Sequence, residues 1–176
     1  MEPLRTRVYN NKEQVFCPWR RRWVRLTPEE WVRQQVLRQL VEDYSFPFSR
    51  IAVEHAIRVG EAARRCDAVV FDSTLTPLCI IEFKAESVPL TQRVFDQVAV
   101  YNRRLRVPLG IVSNGPRTIA YRITSAGYSF LPAIPSYPDL SSPSYPDLSS
   151  PSYPDLSPQP TRDAADSPAD SPVIRP

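Results

Sequence analysis

The stretch RRCDAVVFDSTLTPLCIIEFK, residues 64–84, decides the fold of this chain. It contains two runs rich in β-branched and aromatic residues, separated by a segment with Ser, Thr and Pro. Such runs are typical of strands and the intervening segment is typical of a turn, so the stretch predicts a β-hairpin. One strand is expected over residues 67–71 and the next over residues 78–84.

Three charged side chains of this hairpin are expected to meet at one end of the sheet. Side chains alternate between the faces of a strand, so Glu82 and Lys84 share a face, and Asp67 begins the neighbouring strand. Carboxylates that lie close together raise each other's pKa unless a cation lies between them. Mg²⁺ suits such a place because it takes hard oxygen ligands and completes its shell with water and phosphate oxygens. A solvated Glu–Lys pair on an edge strand is the structural alternative.

Lysine is rare in this chain, which has 20 arginines and two lysines, Lys12 and Lys84. A lysine is a compact charge that can lose its proton, whereas arginine stays charged at accessible pH. Lys84 beside a metal could orient or deprotonate an attacking water, or neutralise charge on a phosphorus-centred transition state.

Asp67 followed by Glu82-x-Lys84 resembles the core of the PD-(D/E)xK nuclease superfamily. Residues 8–130 more narrowly resemble small proteins related to the N-terminal nuclease domain of type I restriction enzyme R subunits. The ordered blocks that carry this resemblance are Leu26–Gln34, Val53–Glu54, Arg65–Asp67, Ile81–Lys84, Gln97–Asn102 and Ser113–Gly115. The resemblance implies an α/β fold with a restriction-endonuclease-like core, in which helices flank a mixed β-sheet.

The resemblance also implies a function, a metal-dependent endonuclease that hydrolyses phosphodiester bonds in DNA and is associated with restriction and defence. It assigns Asp67, Glu82, Lys84 and Gln97 to catalysis, with Asp67 and Glu82 as ligands of Mg²⁺, for which Mn²⁺ can substitute. DNA is the implied partner, beside a helicase or specificity protein and a second copy in a homodimer. The alternatives are a nucleic-acid-binding accessory module with an idle nuclease centre and a generic structural α/β domain.

The first helix supplies a further candidate, Glu30. Thr27 and Pro28 predict a helix start, with Glu30 completing a capping box, and the helix should run to about Asp43. The residues that recur at helical spacing are Trp31, Gln35, Leu37, Leu40, Val41 and Tyr44. The resemblance implies a glutamate near the metal on this helix, but the capping box explains Glu30 without catalysis.

Glu54 and Tyr101 are further supporting candidates. Residues 51–59 alternate as a strand, where the resemblance implies that Glu54 approaches the active centre; a surface salt bridge with Arg58 is the alternative. Gln97 and Tyr101 stand one turn apart on a helix expected over residues 91–104. The resemblance implies that this pair supports the lysine or touches the DNA backbone, and a core Tyr with a solvated Gln is the alternative.

Strands over residues 109–113 and 118–124 follow, and the strand–helix–strand order predicts a parallel pair.

Charge and composition divide the chain into a basic arm or strand (residues 1–26), a nuclease-like domain (27–130) and a tail (131–176). Residues 1–130 carry a net charge of +7 and residues 131–176 a net charge of −4, so the folded part favours a polyanionic partner. In the arm, the arginines and aromatic residues between Phe16 and Leu26 could bind the phosphates and bases of nucleic acid. The alternative is that Trp19 and Trp23 pack on the domain while the arginines are solvated. The tail has 12 prolines and repeats Ser-Tyr-Pro-Asp-Leu-Ser from Ser136, Ser144 and Ser152, which predicts disorder.

Three cysteines without C-x-x-C spacing and a single histidine favour neither a disulfide framework nor a zinc site. The sequence has no apolar run long enough for a transmembrane helix, and its first residues do not resemble a secretory signal. A cytoplasmic location without membrane partners is therefore expected.

Overall fold

The computed structural model describes residues 3–59, 62–124 and 127–140. These residues form two β-sheets and three α-helices, with a 3-10 turn before β4. The elements, in chain order, are β1 (Thr6–Tyr9), β2 (Lys12–Cys17), β3 (Arg22–Arg25), α1 (Pro28–Asp43), β4 (Ile51–Val59), β5 (Ala62–Phe71), β6 (Pro77–Phe83), α2 (Gln92–Leu105), β7 (Leu109–Ser113), β8 (Thr118–Thr124), β9 (Gly127–Phe130) and α3 (Tyr137–Leu140). Within the described ranges, no helix combines the length and apolar character that a membrane crossing requires.

The main sheet has the order β4-β5-β6-β7-β8-β9 and is mixed. Its β6–β7 pair is parallel, whereas its other neighbouring pairs are antiparallel. The predicted hairpin, the parallel pair and the α/β class are therefore confirmed. β5 begins at Ala62, before the predicted start at Asp67, and β9 was not predicted.

The sheet is covered on both faces, which explains why its central strands are mainly apolar. Ile81 and Phe83 belong to the core on the α1 side, and Ile80 belongs to the core on the α2 side. Burial on two faces favours continuous apolar runs over alternation. A polar side chain among these strands, such as that of Glu82, therefore needs partners of its own.

Helix α1 begins as predicted and buries charged as well as apolar side chains. Thr27 Oγ1 accepts a hydrogen bond from Glu30 N at 3.1 Å, as expected of the cap. Of the residues that recur at helical spacing, Leu37 and Leu40 are buried, whereas Trp31 is 42% exposed. Glu30, Arg33 and Gln34 are also buried, because α1 turns these polar side chains toward Arg20 in the turn between β2 and β3 and toward Asp67 on β5.

Residues 6–25 form a separate three-stranded antiparallel sheet, β1-β2-β3. Val15 and Cys17 are buried on its inner side. Trp19 packs on Phe48 with ring centroids 4.9 Å apart. The arm predicted for residues 1–26 is thus a folded layer in which Trp19 packs on the domain.

The predicted tail boundary at residue 131 differs from the structure. Leu131 N donates to Ala120 O at 2.9 Å, and Tyr137 N donates to Tyr44 O at 2.9 Å. Leu140 is 3% exposed and belongs to the core on the α1 side. The first copy of the repeat has enough apolar area to pack because Phe46 and Tyr44 offer it a surface. The later copies lie outside the described residues, as does the disorder predicted for residues 141–176.

Candidate active site at the end of the β5–β6 hairpin

The carboxylate of Glu82 lies at the C-terminal end of β6 and faces α2. Its Oε1 accepts hydrogen bonds from Lys84 Nζ and Gln97 Nε2, both at 2.6 Å. Gln97 Oε1 accepts from Lys84 Nζ at 3.3 Å, and Gln97 Nε2 also donates to Tyr101 Oη at 3.2 Å. Gln97 and Tyr101 reach one place because they are one helical turn apart. We name Glu82, Lys84, Gln97 and Tyr101 the lysine group.

Asp67 approaches the same place from β5. Continuing the hairpin register one residue beyond the Ala68–Ile81 pair puts Asp67 opposite Glu82. Its Oδ1 accepts a hydrogen bond from Arg33 Nη2 at 2.6 Å, and its Oδ2 accepts one from Phe83 N at 2.8 Å. The Arg33 side chain is 7% exposed, so this ion pair is largely shielded from water.

Ion pairs continue from Arg33 to the turn between β2 and β3. Glu30 accepts hydrogen bonds from Arg33 at 2.6 Å and also from Arg20. Arg20 Nη1 donates to Glu54 Oε1 at 2.9 Å. We name Asp67, Arg33, Glu30, Arg20 and Glu54 the arginine network. Its charges alternate in sign, which gives each carboxylate at least one cation partner and offsets the cost of burial.

Glu54 has a φ of 54°, a left-handed conformation within a strand. It lies between the pairs Val53–Ala68 and His55–Cys66, opposite Asp67 in the register. Non-glycine residues rarely adopt this conformation, and such strain is concentrated at functional sites. The carboxylate of this strained residue forms ion pairs with Arg20 and Arg65.

The structure brings together Asp67, Glu82, Lys84 and Gln97, the four residues predicted to be catalytic, and adds Tyr101. The Glu30 carboxylate does not complete the capping box by accepting a hydrogen bond from Thr27 N. It accepts hydrogen bonds from Arg20, Arg33 and Gln34 instead. Among the described residues, the ion-pair partners of Glu54 are Arg20, Arg22 and Arg65, and the alternative of a bridge with Arg58 is therefore wrong.

Glu29 is a nearby acid that the sequence analysis did not single out. Its Oε1 lies 3.5 Å from Arg33 Nη2. Partial burial and the negative charge of Asp67 raise the pKa of Glu29, against the opposing effects of Arg33 and Lys84. Neighbouring helical residues point about 100° apart, so the orientation of α1 decides which glutamate faces the centre. The capping pattern does not specify that orientation.

Two groups in the lysine group have shifted pKa values. Burial, followed by the charge of Asp67, raises the pKa of Glu82 to about 7, although Lys84 opposes the rise. Burial alone would lower the pKa of Lys84, but its hydrogen bond with Glu82 and the charge of Glu82 outweigh that effect, so its pKa lies above the ordinary value. Lys84 therefore carries its proton at neutral pH.

The donor chemistry of the centre fits Mg²⁺. Asp67 and Glu82 offer hard carboxylate oxygens, and the charge of Asp67 raises the pKa of Glu82, a repulsion that a cation between them would relieve. Among the described residues, both hydrogen bonds to the Glu82 carboxylate go to Oε1. Its Oε2 would therefore be the oxygen that coordinates a metal ion. These residues include no cluster of three His, Cys, Asp or Glu side chains with metal-site spacing. A two-carboxylate set is consistent with Mg²⁺, which keeps several waters.

A cavity of about 360 Å³ opens beside Lys84. It is large enough for a small ligand group. Lys84 and Arg93 contribute positive charge to its wall. The lining residues are Lys84, Val88, Pro89, Thr91, Arg93, Val94 and Gln97. The lysine group is therefore accessible to an anionic substrate group.

Fold and site define a class of α/β protein in which a β-hairpin of a mixed sheet brings two carboxylates to a lysine. A family model described as type I restriction enzyme R protein N terminus (HSDR_N) matches residues 28–135. The chain belongs to this family, which confirms the resemblance inferred from the sequence blocks.

Comparisons with individual proteins add one solved structure. It is a fragment described as an HsdR subunit of a type I restriction enzyme from Vibrio vulnificus YJ016. The identity is 16%, the TM-score is 0.47, and the match covers 63% of this chain and 24% of that chain. The search of curated proteins gave no match.

Proposed function

We propose that this protein is a metal-dependent endonuclease that hydrolyses phosphodiester bonds in DNA. The observation that supports the proposal is the convergence of Asp67, Glu82, Lys84 and Gln97 beside an open, positively charged cavity. Membership of a restriction-enzyme family supports DNA as the substrate and restriction as the context.

Asp67 and Glu82 would hold Mg²⁺, or Mn²⁺ in its place. A bound divalent ion supplies positive charge that polarises a phosphate and lowers the pKa of a nearby water. Asp67 is held in position by Phe83 N, and Glu82 is held by Gln97, so both carboxylates are oriented before substrate binds. Such preorganisation removes the need to reorder the side chains during the reaction.

Lys84 stabilises the negative charge that develops on the phosphate. Its raised pKa favours this role over removal of a proton from water, because a protonated amine cannot act as a base. Gln97 positions Lys84 and Glu82 by accepting a hydrogen bond from one and donating to the other.

The second candidate is a nucleic-acid-binding accessory module with an idle centre. The observation that favours it is the ion pair between Arg33 and Asp67 Oδ1, which competes with a metal for that oxygen. A helicase or specificity protein would then supply the activity, and a homodimer is a further proposed assembly.

Supercoiled plasmid nicking in Mg²⁺ or Mn²⁺ tests these functions. Wild-type protein is compared with Lys84→Ala and Asp67→Asn, and Arg58→Ala is the control because Arg58 is exposed on β4 and belongs to neither the lysine group nor the arginine network. The nuclease proposal predicts nicking that requires the metal, is unaffected by Arg58→Ala, and falls at least 100-fold in both centre variants, or about 2.7 kcal/mol in activation free energy.

Plasmid binding without nicking in either metal would support the accessory module and contradict the nuclease proposal. Nicking that survives Lys84→Ala unchanged would contradict the assignment of the centre. Nicking that persists in a chelator would contradict the metal requirement.

A further inference from the structure

The outer face of the three-stranded sheet carries a basic and aromatic surface. Register pairs Arg7 with Gln14, Tyr9 with Lys12, and Phe16 with Trp23, and side chains of paired residues share a face. Period-two alternation adds the residues two positions away. The residues of this face, named here the outer face, are Arg5, Arg7, Tyr9, Lys12, Gln14, Phe16, Trp23 and Arg25.

Arginine guanidinium groups lie against the aromatic rings of the outer face. The Arg7 guanidinium carbon is 4.3 Å from the Trp23 ring centroid and 5.1 Å from that of Tyr9. That of Arg5 is 4.9 Å from the Phe16 centroid and 5.9 Å from that of Trp23. Cation–π contact holds the flat guanidinium groups in place, which leaves N–H groups free to meet an anion.

The outer face is positively charged without compensating acids. Arg5, Arg7, Lys12 and Arg25 are all exposed, and no Asp or Glu belongs to this face among the described residues. Glu13 belongs to the opposite face, because it is paired with Val8 and is two residues from buried Val15. Such a surface complements a polyanion.

The outer face is linked to the candidate active site through the turn between β2 and β3. This turn contains Arg20, which bonds to Glu30 on α1 and Glu54 on β4. The three-stranded sheet is therefore fixed relative to the arginine network. A polyanion lying on the outer face would be held in a defined position relative to Asp67.

We propose that the outer face binds the sugar–phosphate backbone of DNA that flanks the cleavage centre. The identification of DNA rests on the proposed function, whereas the phosphate chemistry rests on the outer face itself. Contact through phosphates is favoured over base stacking because Arg5 and Arg7 already cover the rings of Phe16 and Trp23. Binding at the outer face is therefore independent of base sequence.

The test measures binding of a fluorescein-labelled DNA duplex by anisotropy, in a chelator and over a range of salt concentrations. The variant combines Arg5→Gln, Arg7→Gln and Arg25→Gln. The control combines Arg58→Gln, Arg64→Gln and Arg104→Gln, which removes equal charge from exposed positions on β4, β5 and α2. Loss of three phosphate contacts should reduce the slope of log Kobs against log salt by about 2.7 and weaken binding at least tenfold.

Equal effects in both triple variants would overturn the proposal, because net charge would then explain them. Unchanged binding in the outer-face variant, or no binding by wild type, would also overturn it. Plasmid nicking in Mg²⁺ is measured in parallel, so the two proposals fail separately. If DNA binding depends on the outer face but the protein does not nick plasmid, this surface is supported and the nuclease proposal is contradicted. If the protein nicks plasmid but DNA binding does not depend on the outer face, the nuclease proposal is supported and this surface is contradicted. Circular dichroism checks that both triple variants fold.

Discussion

The arginine network and the lysine group hold neighbouring acids in different ways. In the arginine network, Asp67 is paired with a buried guanidinium whose charge is permanent. In the lysine group, Glu82 is paired with an amine and has a pKa of about 7, so it can take up a proton near neutral pH. The charge that is paired with Asp67 is therefore fixed with respect to pH, whereas the charge of Glu82 changes near neutral pH.

This difference indicates a division of labour between the two groups. The ion pairs of the arginine network join four elements, α1, β4, β5 and the β2–β3 turn, and so hold the layers of the protein together. The charge of Glu82 changes near neutral pH, so its protonation can respond to a bound metal ion or phosphate. We therefore expect substitutions in the arginine network to reduce stability, and substitutions in the lysine group to change activity and pH dependence.

The largest expected effect comes from Arg33→Met, which preserves much of the side-chain volume and removes the charge. Asp67 and Glu30 would each lose a buried partner, so we expect a loss of about 3–5 kcal/mol in the free energy of unfolding at pH 7. Chemical denaturation measures this loss. Lys84→Met is the matched variant and should cost less than about 1 kcal/mol, because Glu82 can take up a proton instead. Equal losses in the two variants would contradict the division of labour.

A pH series on Glu82→Gln should sharpen the comparison. The folded-state pKa of Glu82 is raised from 4.5 to about 7, so its stabilising contribution is present below pH 4.5 and is lost as the pH rises through 7. Wild type should therefore lose about 3 kcal/mol relative to Glu82→Gln between pH 4 and pH 8. Denaturation at each pH measures the difference, and a constant difference would show that the pKa of Glu82 is not raised.

Gln97→Ala tests the positioning role inside the lysine group. Removing the amide releases Lys84 and Glu82 from their shared partner, so we expect about a tenfold loss of nicking rate, or about 1.4 kcal/mol. Gln92→Ala, on the same helix but bonded to Asp96, is the control. Gln97→Glu keeps an acceptor for Lys84 but removes the donor to Glu82, so rescue by Gln97→Glu would show that the hydrogen bond with Lys84 is the one that matters. Equal rates for Gln97→Ala and Gln92→Ala would remove Gln97 from the centre.

Glu29→Gln has the smallest expected effect. Glu29 is 44% exposed at its side chain, so solvent screens its charge and stability should change little. Its charge still acts on the centre, and its loss should raise the Mg²⁺ concentration for half-maximal nicking about two- to threefold. A larger change than in Asp67→Asn would make Glu29 a ligand, contrary to the assignment of Asp67.

Local sequence was sufficient to predict the two halves of the lysine group and insufficient to predict the arginine network. Strand alternation pairs Glu82 with Lys84 and helical spacing pairs Gln97 with Tyr101, but only the family resemblance brought the two pairs together. Arg33 and Asp67 are 34 residues apart, as are Arg20 and Glu54. No periodicity connects residues at such separations, and tertiary packing alone brings them together.

The same limit applies to the charged residues of α1. Helical spacing groups Leu37 with Leu40, and both are buried in the core. It does not show that Arg33 and Glu30 are also buried, since only tertiary packing provides the ion pairs that satisfy them in the interior. Helical spacing therefore predicts the existence and length of α1 but not the burial of its charged residues.

The packed first copy of the repeat has a practical consequence for fragment design. The family match ends at residue 135, whereas Tyr137 and Leu140 still cover the core beside Phe46. A fragment cut at the family boundary would expose this apolar surface to water and would tend to self-associate. Fragments made for crystallisation or spectroscopy should therefore extend at least through Leu140.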